Sequence, residues 1–482
     1  MLPPSLSYMA EKLGQYETNT VKVFPQGDIQ DYTEGQIMEY ILPSNSLVDL
    51  DSLFVSFAAG VDDENKTARL PADIHSLIDR ITVKIGSLTV DDGARAWGVF
   101  KHKYDKLTGK SVSALSHPEI IRAGLNNAAP DFANPNSGDI NESIDKTGSD
   151  FVWDSFHTHF LGTCQPRILD TSILPEIRIQ FHLAREVCPS GGYLHTARVN
   201  MIEDFAPVNP SLIASPRAKY IIQNPSLKIN CISFGNASYD DMISAQMKSG
   251  PLIIPFKKLY SFTDMAYSNM VDFNVQTNSL DKIHFEPSDT TYKSGNWTLA
   301  RATDNNCEFN GNFIQTLNAD DTPNDNVAGV LRLFAKQGPI DINDTYVDNR
   351  TASSFVGKRA QTDRELLNAV TYQVSINNTL NPQFKADITE MFQITRASVS
   401  EDMVCGHKQS FAEWTQDHCH GVIRFNRPGS TTRTPSGLNT QNSSAHMTLI
   451  GDNLPGECQM DVFAETTAML YAFPGRAVSL QN

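Results

Sequence analysis

Tyr40-Ile41-Leu42-Pro43-Ser44-Asn45-Ser46-Leu47, running into the apolar stretch Leu53-Phe54-Val55-Ser56-Phe57, is answered later in the chain. The answer is Phe273-Asn274-Val275-Gln276-Thr277-Asn278-Ser279-Leu280, running into Ile283-His284-Phe285. A second match keeps the same order: Ile85-Gly86-Ser87-Leu88, a turn and Trp97 to Leu107, against Asn310-Gly311-Asn312-Phe313, a turn and Val327 to Phe334. Both fall at an offset of about 225 to 235 residues, which predicts one β-rich unit used twice. A tandem of similar β units points to an architectural role.

Period-two alternation supports strands in both halves. Ile81, Val83 and Ile85 alternate with Thr82 and Lys84; Ile177, Ile179, Phe181 and Leu183 with Arg178, Gln180 and His182; Val370, Tyr372, Val374 and Ile376 with Thr371, Gln373 and Ser375. Each pattern buries one face of a strand and leaves the other wet or loosely covered. Leu227 to Phe234, Val422 to Phe425, Met447 to Ile450 and Val462 to Tyr471 are further strands. Strands in two dense blocks predict sandwiches or barrels rather than a βαβ fold.

Helices are few. Trp97, Phe100, Tyr104 and Leu107 share one helical face, an aromatic stripe expected to pack on a sheet edge. Ser238 followed by Asp241 resembles a capping box, with Met242, Ile243 and Met247 on one face and Gly250 as the stop. This helix joins the two blocks. The expected division is residues 1–237, an N-terminal arm and first unit; 238–250, a connector helix; and 251–482, a second unit with a C-terminal tail. Three polar stretches, Ser111 to Asp150, Glu286 to Asn326 and Gly429 to Ser444, are expected as long surface loops.

Composition narrows the function classes. The chain has 482 residues, 40% apolar and 9% aromatic, with 25 Phe, 14 Tyr and 25 Pro, which suits strands and loops more than helices. No apolar run is long enough to span a bilayer as a helix. Met1-Leu2-Pro3-Pro4-Ser5-Leu6-Ser7 lacks a charged segment followed by an apolar one, so secretion through a signal peptide is not expected. Seven cysteines without a repeating framework then read as reduced thiols, and the sequons at Asn236 and Asn343 as chance matches. A net charge of −16 with no Lys/Arg-rich tail disfavours a basic arm that wraps nucleic acid.

Chemical motifs are weak. Cys405 and His407 with His418, Cys419 and His420 are the best metal candidates, because alternate strand residues share a face, but the spacing matches no zinc module. His157 and His159 have the same geometry and supply only two ligands. There is no G-x-S-x-G elbow or local cysteine signature. Asp461, Glu465, Asp240 and Asp241 are carboxylates that a glycosidase would need in pairs, although solvated faces account for them more simply. Phe355-Val356-Gly357-Lys358-Arg359 lacks the earlier glycine and the following Ser or Thr of a phosphate loop. No residue is assigned to catalysis, to a cofactor or to a metal. Trp153, Phe156, Phe160, Trp297 and Trp414 read equally as subunit anchors or as core.

The order of features resembles a specific family. Asp49-Leu50-Asp51-Ser52-Leu53 before a strand, then Leu70-Pro71-Ala72-Asp73-Ile74-His75-Ser76-Leu77-Ile78-Asp79-Arg80 leading into Ile81-Thr82-Val83-Lys84-Ile85-Gly86, resembles the first half of a double jelly-roll viral major capsid protein of the hexon-like kind. Tyr239 to Lys248, Pro251-Leu252-Ile253-Ile254-Pro255-Phe256 and the Asn278-Ser279-Leu280 strand entry are similar to that family's junction. Ser436-Gly437-Leu438-Asn439-Thr440 through Pro474-Gly475-Arg476-Ala477-Val478 is similar to its closing strands.

The resemblance implies an all-β fold of two tandem eight-stranded jelly rolls with few short helices and long surface loops. It implies a structural, non-enzymatic protein of the virion, three copies of which form a pseudo-hexagonal trimer that tiles an icosahedral shell. Penton and minor capsid proteins and an internal membrane would be its further partners. The missing basic arm argues against direct contact with the genome. Two alternatives stay open: a single jelly-roll capsid or spike protein with an unrelated second β domain, and a glycan-binding or glycan-cleaving protein on two sandwiches.

Overall fold

The computed structural model describes residues 16–62, 74–109, 149–185, 219–234, 238–265, 270–289, 371–403, 420–427, 435–441, 447–452 and 458–482, isolated positions apart, together with Phe411 and Trp414. In the first half the strands are β1 (Tyr16–Val23), β2 (Asp31–Thr33), β3 (Ile37–Ile41), β4 (Leu47–Asp62), β5 (Ile78–Ile85), β6 (Leu88–Asp91), β7 (Ser149–Trp153), β8 (Ile168–Asp170), β9 (Ile177–Leu183) and β10 (Lys219–Phe234). In the second they are β11 (Leu252–Met265), β12 (Met270–Phe273), β13 (Leu280–Asp289), β14 (Thr371–Ile376), β15 (Thr379–Asp387), β16 (Gly421–Arg424), β17 (Met447–Asp452), β18 (Cys458–Phe473) and β19 (Ala477–Gln481). Among the described residues four α-helices accompany them: α1 (Trp97–Thr108), α2 (Phe160–Thr163), α3 (Ser238–Ser249) and α4 (Ile388–Ser398).

Pairing is antiparallel throughout. The first half forms the sheets β1-β10-β4-β7 and β3-β9-β5-β6, and the second forms β11-β18-β13-β16 and β12-β17-β14-β15. With the short β2 and β8 and the terminal β19 set aside, each half uses its eight main strands in one permutation. One sheet takes the first, eighth, third and sixth strands; the other takes the second, seventh, fourth and fifth. This is the two-sheet jelly roll, present twice. A helix follows the fifth strand in both, α1 after β6 and α4 after β15. Residues 252–473 hold the full second set of strands, which removes the alternative of a single roll with an unrelated second β domain.

Alternation sets which face is buried. In β9, Ile177, Ile179, Phe181 and Leu183 are buried while Arg178, Gln180 and His182 are not. The sheets of each roll close over these rows. One continuous apolar cluster runs from Tyr32 to Ala472 through both rolls. Cys164 and Cys231 are free thiols.

The first half of the echo that opened the sequence reading matches the fold. Tyr40 and Phe273 lie in β3 and β12, the second strand of each roll, and Leu47 and Leu280 begin β4 and β13, the third. The second half of the echo is corrected. The counterpart of the step from Ile85 to Leu88 is the step from Ile376 in β14 to Thr379 in β15, and the counterpart of α1 is α4. Asn310 to Phe313 and Val327 to Phe334 lie outside the described residues. The cause is unequal spacing: residues 63–77 separate the third and fourth strands of the first roll, residues 290–370 those of the second. Comparison at a fixed offset loses its register across such a difference.

The loop limits shift as well. Ser149 and Asp150 already belong to β7, and Glu286 to Asp289 still belong to β13. The rest of both stretches lies outside the described residues. Within Gly429 to Ser444, the part at 435–441 is tied down rather than projecting: Leu438 bridges Leu280, and the Thr440 hydroxyl donates to Val275 O at 2.7 Å and accepts from Thr277 N at 3.0 Å. Those contacts satisfy backbone groups ahead of β13 that would otherwise be buried and unpaired.

Candidate functional site

The most unusual chemistry lies where α1 of the first roll meets the outward face of the β11-β18-β13-β16 sheet. The aromatic stripe predicted from sequence does form a buried helix face, but not one laid on a sheet edge: Phe100 and Tyr104 pack on the broad face of the other roll's sheet, whereas Trp97 packs within its own roll, 6.0 Å from Phe156 and 6.4 Å from His75. Trp97, Phe100, Tyr104 and Leu107 are all buried, and so are Lys101, Lys103 and Asp105. Lys101 Nζ meets Asp105 Oδ2 at 2.7 Å one turn along, a pairing that a buried charge requires. Gly98 lets α1 approach the chain ahead of β5. A Cβ there would stand 1.8 Å from His75 O and 2.8 Å from Ile78 O.

Phe100 is the centre of the contact. Its ring lies 5.2 Å from His284, 5.3 Å from His420 and 4.8 Å from Phe463, and Tyr104 reaches His284 and His420 at 5.8 and 6.1 Å. Beneath the rings is a chain of polar groups. His284 Nδ1 is 2.9 Å from His420 Nε2, and His284 Nε2 is 3.4 Å from Glu465 Oε2. Lys257 Nζ lies 3.8 Å from Glu465 Oε1 and donates to Asp281 Oδ2 at 2.5 Å and Thr467 Oγ1 at 2.9 Å. Ser279 Oγ donates to Asp281 Oδ1 at 2.8 Å, and Lys282 Nζ to Asp402 Oδ2 at 2.5 Å.

Burial and charge set the protonation states here. Burial pushes the His284 imidazolium down to about 4, with His420 adding to the effect and Glu465 opposing it. Burial alone would raise the Glu465 carboxyl, but Lys282, His284 and Lys257 together hold it far below the carboxylate range. Lys282 is pushed down by burial, and Glu465 and Asp402 more than offset that push. Near neutral pH the cluster is an ionised Glu465 among two lysines and a neutral His284. The 3.4 Å approach of His284 Nε2 to Glu465 is an electrostatic contact and not a formed hydrogen bond, and the direction of the His284–His420 bond is set by the tautomers of the two rings.

A carboxylate–imidazole–imidazole chain can move a proton, but this one is sealed. His284, His420 and Glu465 are all under 5% exposed, capped by Phe100 and Tyr104. Its geometry suits a seam that locks two rolls together. Further contacts extend the seam: Arg95 N to Ser261 Oγ at 2.9 Å, Gln165 N to Pro255 O at 3.0 Å, Lys257 N to Thr163 Oγ1 at 2.8 Å and Lys258 Nζ to Asp92 Oδ1 at 3.2 Å. Phe160 meets Phe256 edge to face at 5.0 Å, and Arg476 donates to Ser172 O and Asn45 Oδ1.

The residues singled out from sequence divide clearly. Of the metal candidates, Cys405, His407, His418, Cys419 and His157 lie outside the described residues. His420 pairs with His284. His159 caps α2, accepting from Leu161 N at 3.4 Å, while its Nε2 lies 3.0 Å from Ile81 O and 3.2 Å from Asp91 Oδ2. Among the described residues no group of three or more potential ligands is poised for a metal. Asp461 and Glu465 are buried in β18, and Asp241 is exposed on α3, so these carboxylates do not line a common open cleft; the side chain of Asp240 and the whole of Phe355 to Arg359 are outside the description.

Trp153, Phe156, Phe160 and Trp414 are core residues, not exposed anchors. Trp153 Nε1 donates to Ile74 O and Trp414 Nε1 to His420 O. Trp297 is outside the described residues. The seam itself escaped the sequence reading. Its trace was Asp281-Lys282-Ile283-His284 and Glu465 set inside apolar strands, since a strand buried on both faces should carry charge only where a second body covers it.

No protein-family model matches this sequence, and no curated protein matches it. Solved structures do match in fold. The VP54 protein of PBCV-1, fitted into a reconstruction of the virophage Sputnik, is 12% identical, with 97% of each chain covered and a TM-score of 0.50. The PBCV-1 capsid is 11% identical over 97% of each chain at 0.50, and the Faustovirus major capsid protein is 10% identical over 95% of this chain and 91% of its own at 0.51. The likeness runs nearly end to end and agrees with the double jelly-roll fold seen in the described residues.

Proposed function

We propose that this chain is a viral major capsid protein, a structural and non-enzymatic subunit of an icosahedral shell. One observation carries the reading: a single strand permutation is used twice, in a chain that follows the PBCV-1 capsid and the Faustovirus major capsid protein over 95 to 97% of its length. On this reading residues 1–237 are an arm and first roll, 238–250 a connector and 251–482 the second roll, and three chains place six rolls in a pseudo-hexagonal trimer. Such rolls concentrate safely because few strand edges are left to pair at random. Contacts between trimers can be individually modest, since many of them act together in a lattice.

The partners follow from the same reading: further copies of the chain and penton and minor capsid proteins, with the inward-facing termini holding neighbours, minor proteins or an internal membrane. Direct genome contact is not part of it, in keeping with a net charge of −16. The protein's place is the virion, assembled inside the host cell.

Sedimentation of the purified chain tests the core of the proposal. The 53.3 kDa chain should run as a stable species of about 160 kDa, and negative-stain images should show pseudo-hexagonal particles. A strict monomer that only a glycan stabilises would overturn it.

A further inference from the structure

A bulge in β13 turns Asp281 toward a lysine two strands away. β11 pairs with β18 in unbroken step, Lys257 opposite Thr467, but the register between β13 and β18 slips between Leu280 and Lys282, and Asp281 is the extra residue. Bulges re-aim side chains. The re-aimed carboxylate meets Lys257 and Thr467 together. Lys257 Nζ donates to Asp281 Oδ2 at 2.5 Å and to Thr467 Oγ1 at 2.9 Å, and the Thr467 hydroxyl donates onward to the same Oδ2 at 2.5 Å. Asp281 Oδ1 accepts from Ser279 Oγ at 2.8 Å, and Glu465 Oε1 stands 3.8 Å from Lys257 Nζ.

The group is nearly closed to water. The side chains of Asp281 and Glu465 are 1% and 5% exposed and that of Lys257 is 15% exposed. The segment at 435–441 lies over the acid: Gly437 N donates to Ser279 Oγ at 3.0 Å, and a Cβ on Gly437 would stand 2.6 Å from Asp281 Oδ1. Keeping an ammonium and a carboxylate as ions in such a place costs the desolvation of both. An amine held against a carboxyl group, with one hydroxyl bridging the nitrogen and the oxygen that would leave, is instead arranged for condensation within the chain.

We propose that Lys257 and Asp281 condense into an amide that ties β11 to β13 across β18, a single self-modification of the folded chain. An ammonium proton passes from Lys257 Nζ to Thr467 Oγ1 as the Thr467 proton passes to Asp281 Oδ2, which leaves a neutral amine beside a neutral acid. The Nζ lone pair then forms the bond to Asp281 Cγ, and the Ser279 hydroxyl stabilises the negative charge that grows on Oδ1. A second proton follows the same path from nitrogen to Oδ2, the Cγ–Oδ2 bond breaks, and water leaves by the partly exposed Lys257 side. One ammonium and one carboxylate thus become one amide and one water, with no other reactant. The Glu465 carboxylate stabilises the nitrogen while it is positive, a positioning role. The inference stands on these side chains and is independent of the capsid reading.

Mass spectrometry of the full purified chain tests this without a variant. The denatured wild type should be lighter by one water than its sequence, and trypsin should fail to cut after Lys257 and release residues 249–258 joined to 259–282 as one branched peptide. Lys257→Arg keeps the ion pair but not the amine, so it should restore the full mass and separate peptides with circular dichroism unchanged. Thr467→Val removes the bridging hydroxyl and should slow bond formation by about a hundredfold or more, followed by pulse-labelling during expression, while Thr467→Ser keeps most of the rate. A folded wild type of full mass that is cut after Lys257, even after prolonged incubation, overturns the proposal. A lost water that maps to other residues does the same, and a Thr467→Val rate equal to that of the wild type overturns the hydroxyl relay.

Discussion

His284 is a base held neutral between an acid and a second base, under a phenylalanine ring. Its imidazolium is favoured near 6.5 in an unfolded chain but only near 4 in the fold, because burial disfavours the charge. The unfolded chain therefore binds more protons between those values, and stability falls as pH falls through them, by on the order of 3 kcal/mol in total. Above pH 6.5 the contribution is fully present, and below 4 no more is lost from this group. Urea midpoints measured from pH 7 to pH 4 should decline for the wild type and flatten for His284→Gln; parallel curves would show that another group governs the slope. Gly98 gives a second test at this scale. Alanine is the better helix former by about 1 kcal/mol, yet its Cβ would stand 1.8 Å from His75 O, so Gly98→Ala should destabilise by about 2 kcal/mol or more in urea unfolding.

α1 and α4 follow the same strand in their rolls and live in different surroundings. α4 is an exposed-face helix with a complete capping box, in which Asp387 accepts from Glu390 N at 2.7 Å and Glu390 accepts from Asp387 N at 3.0 Å. Asp387→Ala should cost about 1 kcal/mol, read as a lowered urea midpoint. α1 depends on what it inserts into. Phe100→Ala leaves a cavity against His284, His420 and Phe463 and should cost about 3 to 5 kcal/mol. A loss under about 1 kcal/mol would mean that the seam closes over the gap or carries little of the stability. The α1 face was legible from Trp97, Phe100, Tyr104 and Leu107 at helical spacing. Its partner was not, because the same stripe would serve equally against an edge, its own sheet or another roll.

At the scale of the molecule the apolar cluster continues from one roll into the other, so the two rolls should unfold together. Calorimetry is expected to show one transition for the wild type, with Phe100→Ala separating it into two. Two independent transitions in the wild type would show that the seam does not couple the rolls. The duplication was legible in part. Tyr40 with Phe273 and Leu47 with Leu280 pointed to equivalent strands, whereas Ile85-Gly86-Ser87-Leu88 was set against the wrong partner because the step between third and fourth strands is far longer in the second roll.

Strands such as Ile78–Ile85, Ile177–Leu183 and Thr371–Ile376 and the helix at Trp97–Thr108 were legible in the sequence itself, since alternation at period two and an apolar face at helical spacing are local properties that short segments carry with them. The tertiary structure alone decided which sheet face is covered. Lys282, His284 and Glu465 are buried and Lys22 and Lys228 are not, though all occupy outward rows, because burial depends on whether a distant helix docks there. That docking is set by the shape of the assembled roll and by long-range packing, neither of which is written into any one strand.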